Sequence, residues 1–487
     1  QATPGMKDSR PAAVNIQPVS QRRLTQIQFT VLILLTLGAY HQVSGHHFVW
    51  DTIPFVLQNP WLQEMNWSNL VSIFIEAHRA NWQPMVWLSH SLDFQMFSLD
   101  SGKHHLVNLV LHTANGILVY LLIFSLTMQA KTLNLSERQW AAFVGALVFA
   151  IHPQHVESVA WVVERKDVLY SLFALLSLLT YLRLHKLASP SRSDRALPFV
   201  LFVFAITSKP MAVTLPVVLL LLDFYPLHRC NLNRWDLLRA IVEKWHYFII
   251  SLCVVLITLN TQTMSMPTME QLPLWARSLN ALDNSWFYIA HYLLPTQLSP
   301  LYPYPDATEI ISPVFWIDGA IFLLMSTAIC IGLWRKSIRW PALLLLFYLI
   351  TLLPVSGIIH VGPAKATDHY TYLTTLPLNL ITGIGIVFAI KRLKRIRAAL
   401  AGLMAFYCLF LLLITYQQVS YWNNPLSLWS RVIQLHPTSA LAHRNLAGAY
   451  YSIGEGARAL EHAERSLQLG GPAEDYVKQM REAVEAK

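Results

Sequence analysis

Apolar runs recur along this chain at roughly 25–43, 104–127, 139–157, 163–184, 196–207, 211–226, 246–262, 313–335, 339–357, 371–391 and 397–417. A helix needs about 20 apolar residues to cross about 30 Å of hydrocarbon, and most of these runs approach that length. Within hydrocarbon every backbone N–H and C=O must find its partner in the chain, which leaves helices as the form such runs can take. Of the 487 residues, 54% are hydrophobic and only 13% charged, with 16 Trp, a composition suited to lipid. The pattern predicts an all-α, polytopic membrane helix bundle of about eleven spans. The fifth and sixth runs are short and meet at Ser208-Lys209-Pro210, and 285–297 reads as interfacial.

Orientation follows from the basic residues, because short loops rich in Lys and Arg stay cytoplasmic. Arg22-Arg23, the 183–195 and 229–244 segments, 335–339 and Lys391-Arg392-Leu393-Lys394-Arg395 all fall on one side of the predicted bundle. This places the N-terminus inside and the C-terminus outside, as in a multi-pass protein of a bacterial inner membrane with a periplasmic tail. The net charge of +9 is mostly this topological signal and gives no case for nucleic acid. Cys230, Cys253, Cys330 and Cys408 lack metal-ligand spacing and imply no disulfide framework.

Three regions result: an inner tail over 1–24, a membrane domain over 25–421 and a tail over 422–487. The membrane domain carries outer loops at 44–103, 263–312 and 358–370. Trp50, Trp61, Trp67, Trp82 and Trp87 crowd the first of these, so parts of it should lie flat at the interface. The tail alternates small and large residues (Asn445-Leu446-Ala447, Tyr450, Gly454, Ala459, Leu467) as tetratricopeptide helices do. A repeat array this short is expected to lean on the membrane body or on a partner.

Asp51, in His46-His47-Phe48-Val49-Trp50-Asp51-Thr52, stands a few residues beyond the first span among aromatics, where a carboxylate is either solvated or poised as a general base. Arg165, Lys166, Lys209 and Lys365 sit at span ends or tight turns, where an unpaired charge is costly. They pair with local acids such as Glu164 and Asp167, or converge on a phosphate at the membrane surface. His152-Pro153-Gln154-His155-Val156-Glu157 lacks the i, i+4 spacing of a helical zinc pair, so hydrogen bonding within this hairpin is expected and no metal. His104, His105, Asn108 and His112 share a face of the second span and read as polar glue between helices.

Together these segments resemble the transmembrane and tetratricopeptide-repeat-containing family of C-type glycosyltransferases. The matching pieces are Phe48-Val49-Trp50-Asp51, Asn81-Trp82-Gln83-Pro84, His105-Leu106-Val107-Asn108 with His112, His152 through Asp167, Ser208-Lys209-Pro210-Met211, Tyr302-Pro303-Tyr304-Pro305, Asp368-His369-Tyr370-Thr371-Tyr372-Leu373 and the tail. The resemblance implies transfer of a sugar from a polyprenyl-phosphate donor to an acceptor hydroxyl at the outer face, with inversion and without a metal cofactor. Asp51 would be the base, and Arg165, Lys166, Lys209 and His369 would hold the donor phosphate. His155, Glu157, Asp167, Tyr302, Tyr304, Asp368, Tyr370 and Tyr372 are the substrate-binding candidates. The family often has a second acid where Thr52 stands, and often Arg where His369 stands.

Two other functions fit a polar helix bundle. A lipid-linked substrate transporter or flippase would carry charges near the bilayer midplane and pseudo-symmetric halves. A scaffold recruiting partners through its tail would leave the outer charges without a task. The charges here gather at outer span ends and no internal repeat is visible in the body, which favours the enzyme, with a protein acceptor met through the tail.

Overall fold

The computed structural model describes residues 19–128, 132–231, 233–262, 273–304, 313–335, 339–358 and 364–485. Most of the expected inner tail, and 263–272, 305–312 (with Pro305) and 359–363 of the expected outer loops, lie outside the described residues.

The chain opens with α1 (Val19–Tyr40), followed by an outer loop with α2 (Pro60–Gln63), α3 (Trp67–Ile75) and α4 (Pro84–Phe97). Next come α5 (Ser101–Thr127), α6 (Leu135–Ala150), the short α7 (Val156–Ala160), α8 (Arg165–Leu184), α9 (Arg192–Ser208), α10 (Leu215–Phe224), α11 (Arg234–Glu243) and α12 (Trp245–Gln262). The second half holds α13 (Leu274–Leu293), α14 (Pro313–Trp334), α15 (Arg339–Leu352), α16 (Thr371–Thr374), α17 (Leu376–Arg392) and α18 (Arg397–Tyr421). The tail is α19 (Pro425–Leu435), α20 (Ala440–Ser452), α21 (Gly456–Gln468) and α22 (Glu474–Glu485). One antiparallel pair, β1 (Tyr302–Pro303) and β2 (Ala364–Ala366), joins two outer loops.

Every predicted apolar run contains a helix, but fewer of them can cross a membrane unaided. Among the described residues, five segments are long and apolar enough, Ser20–Gly45, Ser101–Thr127, Val162–Leu184, Trp316–Trp334 and Lys394–Tyr421. Two bent pairs, Arg234–Glu243 with Trp245–Thr261 and Asp368–Thr374 with Leu376–Arg392, raise the number to seven. Pro210–Phe224 and Arg339–Val355 are apolar but short. The other runs hold helices too short to qualify, such as α6 and α9, and prolines such as Pro210 and Pro377 stand at helix starts, where a missing N–H costs nothing. Most of the 285–297 segment, up to Leu293, belongs to the longer α13, whose Asn280, Asp283, Asn284 and Ser285 are buried.

Capping residues set helix starts. Asn134 and Glu137 form a reciprocal capping box at α6, and Ser191 and Asp194 do so at α9. Polar residues of α5 then stitch the bundle: His112 Nδ1 lies 2.7 Å from the Tyr372 hydroxyl, His112 Nε2 lies 2.9 Å from the Ala150 carbonyl, and the Asn115 amide donates to Val168 O at 2.8 Å. This is the interhelical bonding expected of that face.

Helices α6 and α17 touch along glycines. A Cβ on Gly383 would lie 2.1 Å from the Ala141 carbonyl oxygen, and one on Gly145 would lie 2.7 Å from the Asn379 carbonyl oxygen. Gly383→Ala should therefore lower stability by about 1–3 kcal/mol through overpacking. Gly385→Ala, with open space around its Cβ position, should not. Thermal midpoints of the two purified variants in detergent check this pair.

Candidate active site

Three segments meet at one end of the bundle: the hairpin before and at the start of α8, the α9–α10 turn, and the stretch from β2 into α16. The hairpin brings Glu157, Glu164, Lys166 and Asp167, the turn brings Lys209, and the third segment brings Lys365, Asp368, His369 and Tyr370. A cavity of about 250 Å³ lies between them and α12, and Lys166, Lys209, Tyr304, Lys365, His369 and Tyr370 are in its wall. Trp82 and Gln83 from the first outer loop and Val255, Thr258 and Leu259 of α12 complete it.

Acids beneath the wall hold its basic groups in place. Lys209 is ion-paired with Asp167 and lies 5.4 Å from the Tyr370 ring centroid. Lys166 Nζ lies 2.7 Å from Glu164. Glu157 accepts twice from His369, from its backbone N–H at 3.0 Å and from Nδ1 at 2.9 Å, which leaves Nε2 3.7 Å from Glu164. Tyr302 donates to Asp368 at 3.1 Å. The ligand atoms of Glu164, Asp167 and His369 converge within 4.8 Å of one another, close enough for a cation, but the two lysine ammonium groups already supply positive charge there.

Asp51 stands beside this wall. Burial raises its pKa to about 6, Glu164 adds to the rise, and Lys166 and Arg79 oppose it. The turn that presents it is anchored by aromatics: Trp50, at φ 49°, stacks on Trp161 with centroids 4.7 Å apart and meets Trp429 of α19 edge-on at 4.8 Å. Trp161 stacks in turn on Trp422 at 5.4 Å. The first tail helix is thus packed against the loop that carries Asp51, as a tail leaning on the membrane body would be. Thr52 is completely buried, so no second acid follows Asp51 at the surface.

Arg165 departs from expectation. It has no exposed surface, and its donors are committed: Nε to Asn108 Oδ1 at 2.8 Å, Nη2 to the His104 carbonyl at 2.8 Å, and Nη1 to Ser89 and to an ion pair with Asp93. A fully buried guanidinium with four of its five donors directed at α4 and α5 does not line the cavity and is not placed to hold a donor phosphate there. His155 and Tyr372 are likewise interior. His155 bonds the Phe149 carbonyl at 2.7 Å, and the Tyr372 hydroxyl meets His112 and Asn115. Glu157, Asp167, Asp368 and Tyr302 are buried supports, and only Tyr304 and Tyr370 of the substrate-binding candidates reach the cavity wall. Asp93 was not anticipated, and no spacing in the sequence connects it to Arg165; Trp82 and Gln83 lay within a motif that already carried the family resemblance.

No family model matches the chain. Among curated proteins it is 23% identical over 446 residues to protein O-mannosyl-transferase F38B6.6 of Caenorhabditis elegans, covering 85% of this chain and 59% of that one. It is 37% identical over 136 residues to protein O-mannosyl-transferase TMTC2 of Homo sapiens, covering 27% and 15% respectively. The homologues are thus transmembrane and tetratricopeptide-repeat-containing protein O-mannosyl-transferases, the family that the sequence resembles, and the chain spans less than two thirds of their length. A solved structure, ArnT from Cupriavidus metallidurans bound to undecaprenyl phosphate, aligns over 94% of this chain and 77% of its own at 12% identity, with a TM-score of 0.34.

The commitment of Arg165 predicts a stability effect. Arg165→Ala leaves Asp93 buried without its partner and should cost about 3–5 kcal/mol. Adding Asp93→Asn should restore part of that loss, since the asparagine needs no counter-charge. A double-mutant cycle on thermal midpoints measures the coupling.

Proposed function

We propose that this chain is a membrane glycosyltransferase that moves a sugar from a polyprenyl-phosphate donor to a protein hydroxyl at the outer face of a bacterial inner membrane, with its N-terminus cytoplasmic. The observation that carries the reading is the pairing of a cavity walled by Lys166, Lys209 and His369 with an adjacent carboxylate, Asp51, held near pKa 6. The names of its relatives add mannose as the sugar.

In this mechanism the acceptor oxygen attacks the anomeric carbon, its proton passes to the Asp51 carboxylate, and the bond from that carbon to the donor phosphate breaks. The anomeric centre inverts and the lipid phosphate departs with the bonding electron pair. Lys166 and Lys209 offer N–H donors to the charge that grows on it. A base whose pKa lies just below neutral pH is ionised yet still basic enough to take a proton in the transition state. Asp51 and the lysines carry this chemistry without a metal.

The tail has two roles to separate. Its first helix, α19, supports the Asp51 turn through Trp429, and α20 to α22 extend beyond it as the surface for a protein acceptor. Deleting 438–487 while keeping α19 should lower transfer to a native protein acceptor far more than transfer to a short peptide. Equal losses on both would assign the whole tail to structural support.

Asp51→Asn should lower turnover by about 10²–10⁴-fold, because the amide cannot accept the proton. Donor binding should persist. In the unaltered protein kcat/KM should fall as pH drops below about 6, since protonating Asp51 removes the base. The same shift works against stability in the opposite pH direction. A carboxyl with a raised folded pKa stabilises the protonated fold, and that contribution is lost as pH rises through about 6. Asp51→Asn should therefore keep or raise the thermal midpoint at neutral pH while activity disappears. Lys166→Ala should raise the donor KM. A transfer assay with a panel of polyprenyl-phosphate sugars, run on purified protein, tests the reading as a whole.

A further inference from the structure

We propose that His90, Asp93 and His104 form a transition-metal site of the zinc class, which fastens the first outer loop to the membrane bundle away from the transfer cavity. His90 and Asp93 stand three residues apart on the inward face of α4, and His104 stands in the first turn of α5. One ligand atom from each lies within 4.8 Å of the others, and all three residues are buried.

Hydrogen bonding among these groups leaves a gap that a cation fills. Neither ring nitrogen of His90 has a partner, nor has Nδ1 of His104, although both side chains are completely buried. Burying such atoms unpaired is costly. His104 Nε2 lies 2.9 Å from the Ser98 carbonyl oxygen. A carbonyl only accepts, so Nε2 carries a proton, and in the neutral ring Nδ1 then presents a lone pair. That lone pair faces Asp93 Oδ2 at 3.5 Å, a second acceptor. Arg165 already donates to that same Oδ2, but the His104 lone pair stays without a partner, and a cation ligated by both groups would satisfy it. Ligands about 2.0–2.2 Å from a tetrahedral ion lie about 3.3–3.6 Å apart, and the His104–Asp93 pair is at 3.5 Å.

The surroundings match those of a ligating set. The Ser98 carbonyl orients His104, and Arg165 orients Asp93, in the manner of outer partners that fix metal ligands. Two imidazoles and one carboxylate suit zinc or cobalt rather than magnesium or calcium, which prefer oxygen. None of the three residues lines the transfer cavity, so the site is separate from the proposed chemistry.

Zinc loading of the full-length purified protein, followed by desalting and elemental analysis, tests the proposal. About one tightly held zinc per chain is expected, falling at least about tenfold in His90→Phe and in His104→Phe. Cobalt substitution of the unaltered protein should give the visible absorption of a tetrahedral site, and zinc should raise its thermal midpoint where magnesium does not. These two readings do not depend on a variant folding. No retained zinc and no cobalt band would overturn the site and leave His104 as an imidazolium paired with Asp93. Zinc kept by His90→Phe but lost from His369→Phe would place the ion in the cavity wall and overturn it equally.

Discussion

The buried pairing of Arg165 with Asp93 is the interaction on which the outer half of this protein depends. A guanidinium and a carboxylate removed from water each lose several kcal/mol of hydration, and their attraction offsets that only when every remaining donor is also satisfied. Here Asn108, Ser89 and the His104 carbonyl take those donors. These partners belong to α4 and α5, so one side chain fixes the outer loop, the second long helix and the start of α8 relative to each other. Lys166 and Asp167 follow directly in sequence. With Arg165 turned to the opposite side, the first turn of α8 brings Lys166 to the cavity wall and sets Asp167 beneath it as the partner of Lys209.

Breaks in the helices do comparable work at the same height. The segments at Pro153, Pro210 and Leu353–Val355 are 3-10 turns between longer helices. Each releases backbone groups that hydrocarbon could not satisfy, and such irregular backbone is tolerated only where protein or a polar cavity surrounds it. The cavity wall is built from these places: Lys209 and Pro210, Pro354 and Val355, and His369 and Tyr370 all line it. A bundle made only of uninterrupted spans would have no such positions from which to aim a short side chain inward. The deficit of full-length spans and the presence of a site thus have one origin.

Much of this architecture was legible from periodicity, because long apolar runs have a single permitted backbone form in lipid. The positions of the long apolar helices along the chain followed from that. The span number was less legible, since a proline inside an apolar run leaves hydropathy unchanged while ending a helix. Arg165 was misassigned for a different reason. Its neighbours in sequence, Glu164 and Asp167, are acids, yet its partner is Asp93, 72 residues earlier, and no local pattern reports such a pairing. His155 and Tyr372 were misassigned because a polar residue near a span end looks the same in sequence whether it faces a ligand or a neighbouring helix.

The division of labour between Arg and Lys at this mouth follows from donor geometry. Arg carries five N–H donors in a rigid planar fork, and the four partners arranged around Arg165 take four of them, all on the side away from the cavity. Lys has three donors on one rotatable ammonium. Lys209 gives one to Asp167 and Lys166 gives one to Glu164, and both nitrogens remain at the cavity wall with capacity left over. The carboxylates therefore do two things at once: they hold the ammonium groups in place before a ligand arrives and reduce the repulsion between the two cations. A phosphate entering the cavity meets lysines already positioned and partly neutralised, which costs some affinity but removes the need to reorganise them as charge develops on the departing group.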